Sequence, residues 1–307
     1  MAKQRSRRKN VRRRTRRRKL HRGGEEKCLY VTFPPTSGLG NVLFVYAAAL
    51  GVKQKINIPL CFLPYTNNHS TTDYREVLLK QGKPVEISMD DPRIKESKRL
   101  LGELHNDPET AVHRFWEYKP EEEDKSKNLI MGDSYYQNYA AIKSVIPTIR
   151  SDFADVCDKR YRGFKESIKP SSAFLHVRRG DFGNKALGAD YYKKGLSILD
   201  GKSEIESIYI LSDDLDWCKS QGFESSKIKW FDNPEEAKDE IKTMYLMSLC
   251  KAGACISGST FSTWGAILGP DENEKSTIVI PSKWFAGFHV ADIEASDFQF
   301  PSRWQVI

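Results

Sequence analysis

The sequence has no apolar run long enough to cross a lipid bilayer. Its longest apolar stretch, from Val42 to Val52, is shorter than the roughly 18 residues that a membrane-spanning helix needs. The basic N-terminal segment is not followed by the apolar stretch that a secretory signal contains. We therefore expect no transmembrane anchor and no entry into the secretory route. The sequence predicts a cytoplasmic protein, with a membrane-peripheral location as the alternative.

The spacings that are typical of metal sites and redox motifs are also missing. The six cysteines form no CxxC pair and lie mostly in apolar surroundings, so we expect them to be reduced and structural, in a reducing compartment. The six histidines show no paired spacing, so we expect no bound transition metal. The cysteines are Cys28, Cys61, Cys157, Cys218, Cys250 and Cys255.

Positive charge is concentrated at one end of the chain. Residues 1–22 hold 13 of the 49 Lys and Arg residues and no acid, whereas the remaining residues carry 36 bases against 41 acids. Such a basic run cannot bury apolar surface, so we predict that residues 1–26 form a disordered basic tail. The tail could bind nucleic acid or an anionic membrane surface, or it could be a solvated segment that only aids solubility.

The length of 307 residues exceeds what one hydrophobic core comfortably serves, so we expect two lobes. The first, residues 27–168, begins with a strand, a glycine loop and an apolar helix over Asn41–Lys55, and it ends with a helix over Tyr139–Cys157. The second, residues 169–307, alternates strands with helices, the longest running from Pro234 to Cys250. Repeated strand and helix units predict an α/β fold with a parallel sheet covered on both faces, as in a Rossmann-like lobe.

Two adjacent arginines end an apolar run that is typical of a buried strand. Arg178 and Arg179 follow Ala173–Val177, and in open α/β sheets the carboxyl ends of the strands bind ligands. A guanidinium presents five fixed donors that suit a phosphate or pyrophosphate. The flanking His176 can donate or accept a hydrogen bond, and Asp181 can orient an arginine or accept a proton. The alternative is a solvated strand end at the protein surface.

A second polar group follows the predicted strand that ends at Leu211. Asp213 or Asp214 could accept the N1 and N2 protons of guanine in one bidentate contact. Alternatively, these residues cap the helix that follows. Asp214 and Asp216 also have the spacing of a metal-binding DxD motif, but Asp216 is expected to lie inside that helix, which disfavours a metal ion.

Two strand-to-helix loops have the composition of anion sites. Backbone amides at a helix N-terminus bind anions, and in Ser257–Ser262 they lie beside several hydroxyl groups. In the first lobe, Gly38–Asn41 has the same geometry and is expected to face the cleft from the other side. Because caps and glycine turns have the same composition, the alternative for each loop is a purely structural turn. The candidate donor-site residues in the two loops are Gly38, Gly40, Asn41, Ser259, Thr260, Phe261 and Ser262.

Taken together, these motifs resemble those of the α-1,2-fucosyltransferases of glycosyltransferase family 11, over roughly residues 28–290. Because no anchor is expected, the chain is more similar to the soluble bacterial members of the family. Its arginine-rich leader resembles the leaders of proteins from large DNA viruses. The matching segments are HxRRxD at 176–181, GLGN at 38–41, a YFQ-like element at 135–137, SDDxxWC at 212–218 and STFS at 259–262. The chain departs from the family pattern at Val42, Val45, Gly258 and Thr263.

The resemblance implies a GT-B fold, in which an acceptor-side N-terminal lobe faces a C-terminal lobe that holds GDP-β-L-fucose. Arg178 and Arg179 would stabilise the pyrophosphate leaving group without a metal or other cofactor. His176 and one of the two aspartates would contact the nucleoside, and the loop from Ser259 would contact the phosphates. The reaction would be one inverting displacement that forms an α-1,2 link to a galactose-containing acceptor, with Asp181 as the candidate base.

Two other functions fit the same residues. Another fucosyl linkage, or protein O-fucosylation, is possible because the arginine signature alone does not set the acceptor. A function of a different class is a nucleic-acid-binding or virion protein built on a degenerate transferase fold. That protein would bind DNA through its tail with a steep dependence on salt concentration.

Overall fold

The computed structural model describes residues 27–66, 70–100, 126–132, 135–284 and 293–307. The predicted basic tail, residues 1–26, lies outside the described residues. None of the helices in the described part of the chain is long and apolar enough to cross a membrane.

The first sheet consists of five short parallel strands: β1 (Leu29–Val31), β2 (Leu60–Phe62), β3 (Gly82–Pro84), β4 (Lys98–Arg99) and β5 (Leu129–Met131). Their order is β3-β2-β1-β5-β4. The three central strands are buried along their whole length, because a parallel sheet of this type is covered on both faces.

Helix α1 (Leu39–Ile56) packs on the first sheet and is buried on nearly every side. It begins two residues before the predicted start, and Asn57, with a left-handed backbone (φ 52°), caps its C-terminus by donating its N–H to the Lys53 carbonyl oxygen. An apolar surface all round is typical of a helix enclosed by protein. Two single-turn helices, α2 (Tyr74–Val77) and α3 (Pro92–Lys95), complete the described helices between β2 and β4.

The predicted helix over Tyr139–Cys157 is wrong as a single element. The segment forms α4 (Tyr139–Ile142), a 3-10 turn over Lys143–Val145 and then α5 (Ile146–Arg160). Pro147 lies in the first turn of α5, where its missing N–H is tolerated, whereas the interior of a continuous helix would not tolerate it.

The second sheet has six parallel strands: β6 (Ser172–Val177), β7 (Ser207–Ser212), β8 (Ile228–Trp230), β9 (Gly253–Cys255), β10 (Thr277–Ile280) and β13 (Gln305–Val306). Their order is β13-β10-β9-β6-β7-β8. An antiparallel pair, β11 (Lys283–Trp284) and β12 (Ile293–Glu294), stands apart from it. Two parallel sheets with helices confirm the predicted α/β architecture.

The helices of the second half are α6 (Ala189–Asp200), α7 (Leu215–Ser220), α8 (Pro234–Lys238), α9 (Glu240–Leu249) and α10 (Thr260–Leu268). The prediction of one helix from Pro234 to Cys250 is wrong, because the chain leaves helical geometry at Asp239. The Asp239 carboxylate accepts the backbone N–H groups of Ile241 and Lys242, both at 3.1 Å, and so starts α9 as a new helix.

A continuous hydrophobic core joins the two halves of the molecule. Buried residues of β1 and α1 belong to the same apolar cluster as residues of α9, β9 and α10. Phe44 of α1 packs edge-on against the fully buried Trp264 of α10, with 5.2 Å between the ring centroids. Helix α1 is therefore enclosed between the first sheet and α10.

Cys28 and Cys61 form a disulfide between the start of the β1 segment and β2. Their Cα atoms lie 6.2 Å apart because β1 and β2 are adjacent parallel strands. The prediction that all six cysteines are reduced is therefore wrong for this pair. The other four cysteines are free and buried, and burial raises the pKa of Cys218 to about 11 and that of Cys255 to about 12.

Candidate active site

Three loops of the second sheet meet at one edge. Strand β6 lies between β9 and β7, and its register pairs Val177 with Ser212 and Leu175 with Cys255. Because the strands are parallel, the residues that follow their carboxyl ends are neighbours. The structure thus brings together residues 178–181, 213–214 and 257–262, which the sequence assigned separately to this edge.

Arg178 is held by two carboxylates. Its Nε donates to Asp181 Oδ1 at 2.8 Å, and its Nη1 lies 3.2 Å from Asp213 Oδ2. The Arg178 side chain is 27% exposed, and the Asp181 side chain is 57% exposed. The guanidinium is therefore fixed in position and still open to solvent along part of its edge.

Asp213 fixes the turn that carries the arginines. Its two carboxylate oxygens accept the backbone N–H groups of Arg179, at 2.9 Å, and Gly180, at 3.0 Å. A Cβ atom at Gly180 would lie 2.9 Å from Asp213 Oδ2, so glycine allows this close approach. Sequence reasoning missed this positioning contact, and the predicted contact of Asp213 with a nucleoside stays a prediction.

Arg179 lies against an aromatic ring. Its guanidinium carbon is 3.9 Å from the centroid of the Trp217 ring, and its Nε is 3.4 Å from Asp214 Oδ2. The other oxygen of Asp214 accepts the backbone N–H of Trp217 at 3.0 Å. Asp214 is therefore the N-cap of α7, which is the alternative that the sequence left open for it.

His176 lies beneath the site, with only 4% of its surface exposed. Its Nδ1 is 3.2 Å from the Ser257 hydroxyl, and its ring lies 5.6 Å from that of Phe261. Burial, assisted by the nearby Arg178 charge, lowers the pKa of His176 to about 3. The imidazole is therefore neutral near pH 7 and acts as a hydrogen-bonding group.

The start of α10 lies at the same edge of the sheet as the arginines. Ser259 caps the helix by accepting the Phe261 N–H at 3.3 Å. Ser262 is fully buried, and its hydroxyl lies 3.1 Å from the backbone oxygens of both Ser257 and Ser259. The Ser262 hydroxyl thus supports the turn, and the more accessible residues at this helix start are Thr260 and Phe261.

The two predicted anion loops touch each other. The Asn41 side-chain oxygen accepts the Thr260 hydroxyl at 2.9 Å and the Gln137 amide at 3.1 Å. A Cβ atom at Gly40 would lie 2.5 Å from the Phe261 backbone nitrogen. Gly38 lies at the start of the same helix. The two loops are therefore in direct contact through the starts of α1 and α10, and the assignment of Gly38–Asn41 to the donor site stays a prediction.

The assembled site has the chemistry of an anion-binding centre. Two guanidinium groups follow β6 at this edge, and the carboxylates of Asp181, Asp213 and Asp214 contact them. Fixed cations of this kind bind and stabilise phosphate oxygens. No group of three or more metal-ligating side chains is found among the residues that the structure describes. The predicted metal independence remains a prediction.

The family model described as glycosyl transferase family 11 matches residues 117–304. The chain belongs to glycosyltransferase family 11. The matched residues include the turn that carries the two arginines (residues 178–181, the arginine turn), the Ser212–Cys218 segment and the start of α10. This match confirms the family resemblance that the sequence motifs carry, and it makes the chain a fucosyltransferase-like glycosyltransferase.

Two Escherichia coli proteins are similar to this family 11 transferase. The O-antigen biosynthesis glycosyltransferase WbnK is 26% identical over 288 residues, which cover 82% of this chain and 94% of WbnK. An alpha-1,2-colitosyltransferase is 28% identical over 127 residues, which cover 38% of this chain and 41% of that protein.

Solved structures support the fold of the family 11 transferase. The fucosyltransferase NodZ from Bradyrhizobium superposes with a TM-score of 0.50 at 14% identity, covering 87% of this chain and 99% of NodZ. A structure of NodZ alpha-1,6-fucosyltransferase soaked with GDP-fucose gives the same TM-score at 13% identity, with the same coverage. These likenesses confirm the GT-B fold.

Proposed function

We propose that this family 11 transferase moves L-fucose from GDP-β-L-fucose to a hydroxyl of a galactose-containing acceptor and forms an α-1,2 link. The observation that carries the proposal is the pair Arg178 and Arg179 at the carboxyl edge of the second sheet, held by three carboxylates. Negative charge develops on the pyrophosphate as GDP leaves, and two preorganised guanidinium groups stabilise it.

The start of α10 adds to the proposed phosphate site. The N-terminus of α10 is the positive end of the helix dipole, which favours an anion at this edge of the sheet. In this proposal, the two oriented guanidinium groups and the helix start supply what a metal ion supplies in other glycosyltransferases. No metal and no resident cofactor is required for the proposed reaction.

Asp181 is the proposed base. The oxygen of the acceptor hydroxyl attacks the anomeric carbon of fucose, the bond from that carbon to the GDP oxygen breaks, and the hydroxyl proton passes to the Asp181 carboxylate. Attack from the face opposite GDP converts the β-linked donor into an α-linked product. Asp181 is the candidate because its side chain is the most exposed of the three carboxylates that contact the arginines.

A second donor is favoured by one relative. The alpha-1,2-colitosyltransferase is 28% identical over 127 residues, so a colitosyl donor is the alternative to a fucosyl donor for this chain. In this alternative the proposed linkage and site residues are unchanged, and only the activated sugar differs. Assays with each activated sugar separate the two.

The test uses the purified full chain with GDP-fucose and a β-galactoside, with and without EDTA, and the product linkage is determined by NMR. We expect an α-1,2 product in both conditions. Arg178→Ala should lower the rate at least about a hundredfold, since the developing charge loses one of its fixed donors. Arg162→Ala, which removes an exposed arginine in the turn after α5, is the matched control and should leave the rate unchanged.

Other outcomes identify the alternatives. Transfer to a peptide instead of the galactoside would indicate protein O-fucosylation. Binding of GDP without transfer would mean that the acceptor is a different one. Absence of both transfer and GDP binding would overturn the proposal, and DNA binding that is lost on deletion of residues 1–24 would then support the degenerate-fold alternative.

A further inference from the structure

The two arginines of the site are held by different kinds of contact. Arg178 has carboxylate oxygens at 2.8 Å and 3.2 Å, whereas the carboxylate contact of Arg179, to Asp214, is 3.4 Å long. The guanidinium of Arg179 lies instead over the face of Trp217, at 3.9 Å from the ring centroid. Both arginine side chains are 27% exposed, so a difference in burial does not explain the difference in contacts.

The contact over the ring leaves the donor edge of Arg179 available. A guanidinium that lies over an aromatic face is bound through its own face, and its N–H groups point outward from the edge. Among the described residues, no acceptor contacts the Arg179 Nη1 or Nη2 atoms. The two terminal nitrogens can therefore donate to a phosphate while the ring holds the group.

Trp217 is itself held in place. Its backbone N–H donates to Asp214 Oδ1 at 3.0 Å. Its ring makes edge contacts with the buried Tyr192, at 6.3 Å between centroids, and with Phe223, at 6.5 Å. Asp214 thus fixes both partners, because its other oxygen contacts Arg179. The indole is a rigid surface anchored in the core of the second sheet.

We propose that Trp217 is a positioning residue, which orients the Arg179 guanidinium toward the phosphates of the nucleotide-sugar donor. An aromatic face attracts a cation without contributing a counter-charge, and the one carboxylate near Arg179 lies farther away, at 3.4 Å, than the two that pair with Arg178, so less of the Arg179 charge is offset. A closely paired carboxylate would fix the arginine equally well but would offset that charge. This inference rests on the proposed function, since it names how one residue of the same site is held.

The test compares Trp217→Leu with Trp217→Phe. Leucine keeps an apolar side chain but removes the aromatic face, whereas phenylalanine keeps a smaller face. We expect Trp217→Leu to lower kcat about tenfold with a smaller change in the KM for the donor, because the contact matters most when charge develops. Trp217→Phe should recover kcat to within about threefold of wild type.

Trp230→Leu is the matched control. Trp230 is also a partly exposed tryptophan packed on the same core, and it too lies near a cation, with Lys219 Nζ at 5.8 Å from its ring centroid. Trp230 is the last residue of β8 and is not one of the proposed site residues. Its substitution should leave kcat unchanged, and a loss equal to that of Trp217→Leu would overturn the inference.

A double-mutant cycle with Arg179→Ala distinguishes positioning from general stability. If Trp217 acts through Arg179, then Trp217→Leu has no further effect on kcat in the Arg179→Ala background. An equal further loss would overturn the inference. GDP affinity, measured by calorimetry, separates two failures: no GDP binding by the wild type overturns the proposed function as well, whereas wild-type transfer with unchanged kcat in Trp217→Leu overturns this inference alone.

Discussion

The carboxylate of Asp213, after β7, pairs with the guanidinium of Arg178, after β6, with 3.2 Å between Oδ2 and Nη1. The same carboxylate accepts the N–H groups of the next two residues of the arginine turn. One side chain therefore fixes both the charge and the backbone of the turn, and it does so from the neighbouring strand.

Asp213→Asn should impair the arginine turn. The amide keeps one acceptor oxygen but loses the charge and the second acceptor, so one backbone N–H and the ion pair lose their partner. A lost hydrogen bond to a charged group is worth about 2 kcal/mol, so we expect kcat/KM to fall about thirtyfold. Asp216→Asn, at an exposed position of α7, is the control and should behave as wild type. Equal activity of the two variants would contradict the positioning assignment.

Gly40→Ala should separate the starts of α1 and α10. The new Cβ would lie 2.5 Å from both the Phe261 nitrogen and the Thr260 carbonyl carbon, which are backbone atoms and cannot turn away. We expect the melting temperature and the transfer rate to fall together. Gly51→Ala, in the same helix with no atom within 4 Å of its Cβ, should instead stabilise the protein by up to about 1 kcal/mol. Thermal unfolding of the two variants gives the comparison.

The cysteine count provides a direct test of the disulfide. The unreduced protein, unfolded in denaturant, should expose four thiols to a thiol reagent, and the reduced protein should expose all six. In the chain-entropy model, a bridge that spans 33 residues stabilises the fold by about 4 kcal/mol. Replacing Cys28 and Cys61 by serine should therefore lower the unfolding free energy by a similar amount. Six reactive thiols before reduction would show that the pair is not bridged.

Stability should fall in mild acid because of His176. The unfolded chain protonates this residue near pH 6.5, whereas the folded protein does so only at about pH 3. Between these values the unfolded state binds more protons, so the free energy of unfolding decreases as the pH falls. At pH 5 the expected loss from this residue is about 2 kcal/mol relative to pH 8.

His176→Asn removes the titrating group and keeps a side chain that can contact the Ser257 hydroxyl. The difference in unfolding free energy between pH 8 and pH 5 should therefore be smaller in the variant than in the wild type. Denaturant titrations at the two pH values measure it. An unchanged difference would mean that His176 titrates normally in the folded protein.

Local patterns predicted much of the second sheet. The bounds of β6 and the end of β7 were expected within one residue of their observed positions, because a buried parallel strand is a short, continuous apolar run with polar ends. The short strands β2, β3 and β13 were missed, since two or three residues give no periodicity. The break at Asp239 was missed because helix-favouring Glu and Lys residues lie on both sides of it, although an aspartate before a helical run is itself a cap signal.

The sequence by itself determined where charge follows a buried strand, and therefore which edge of the sheet carries Arg178, Arg179 and Asp213. It also determined the family, because the ordered motifs match. Only the tertiary structure decided the partners of these groups. The residue type determines which hydrogen bonds a side chain can donate or accept. The register of β6 against β7 determines that Asp213 contacts the arginine turn. The packing of α7 places Trp217 against Arg179, and the adjacency of β1 and β2 joins Cys28 to Cys61.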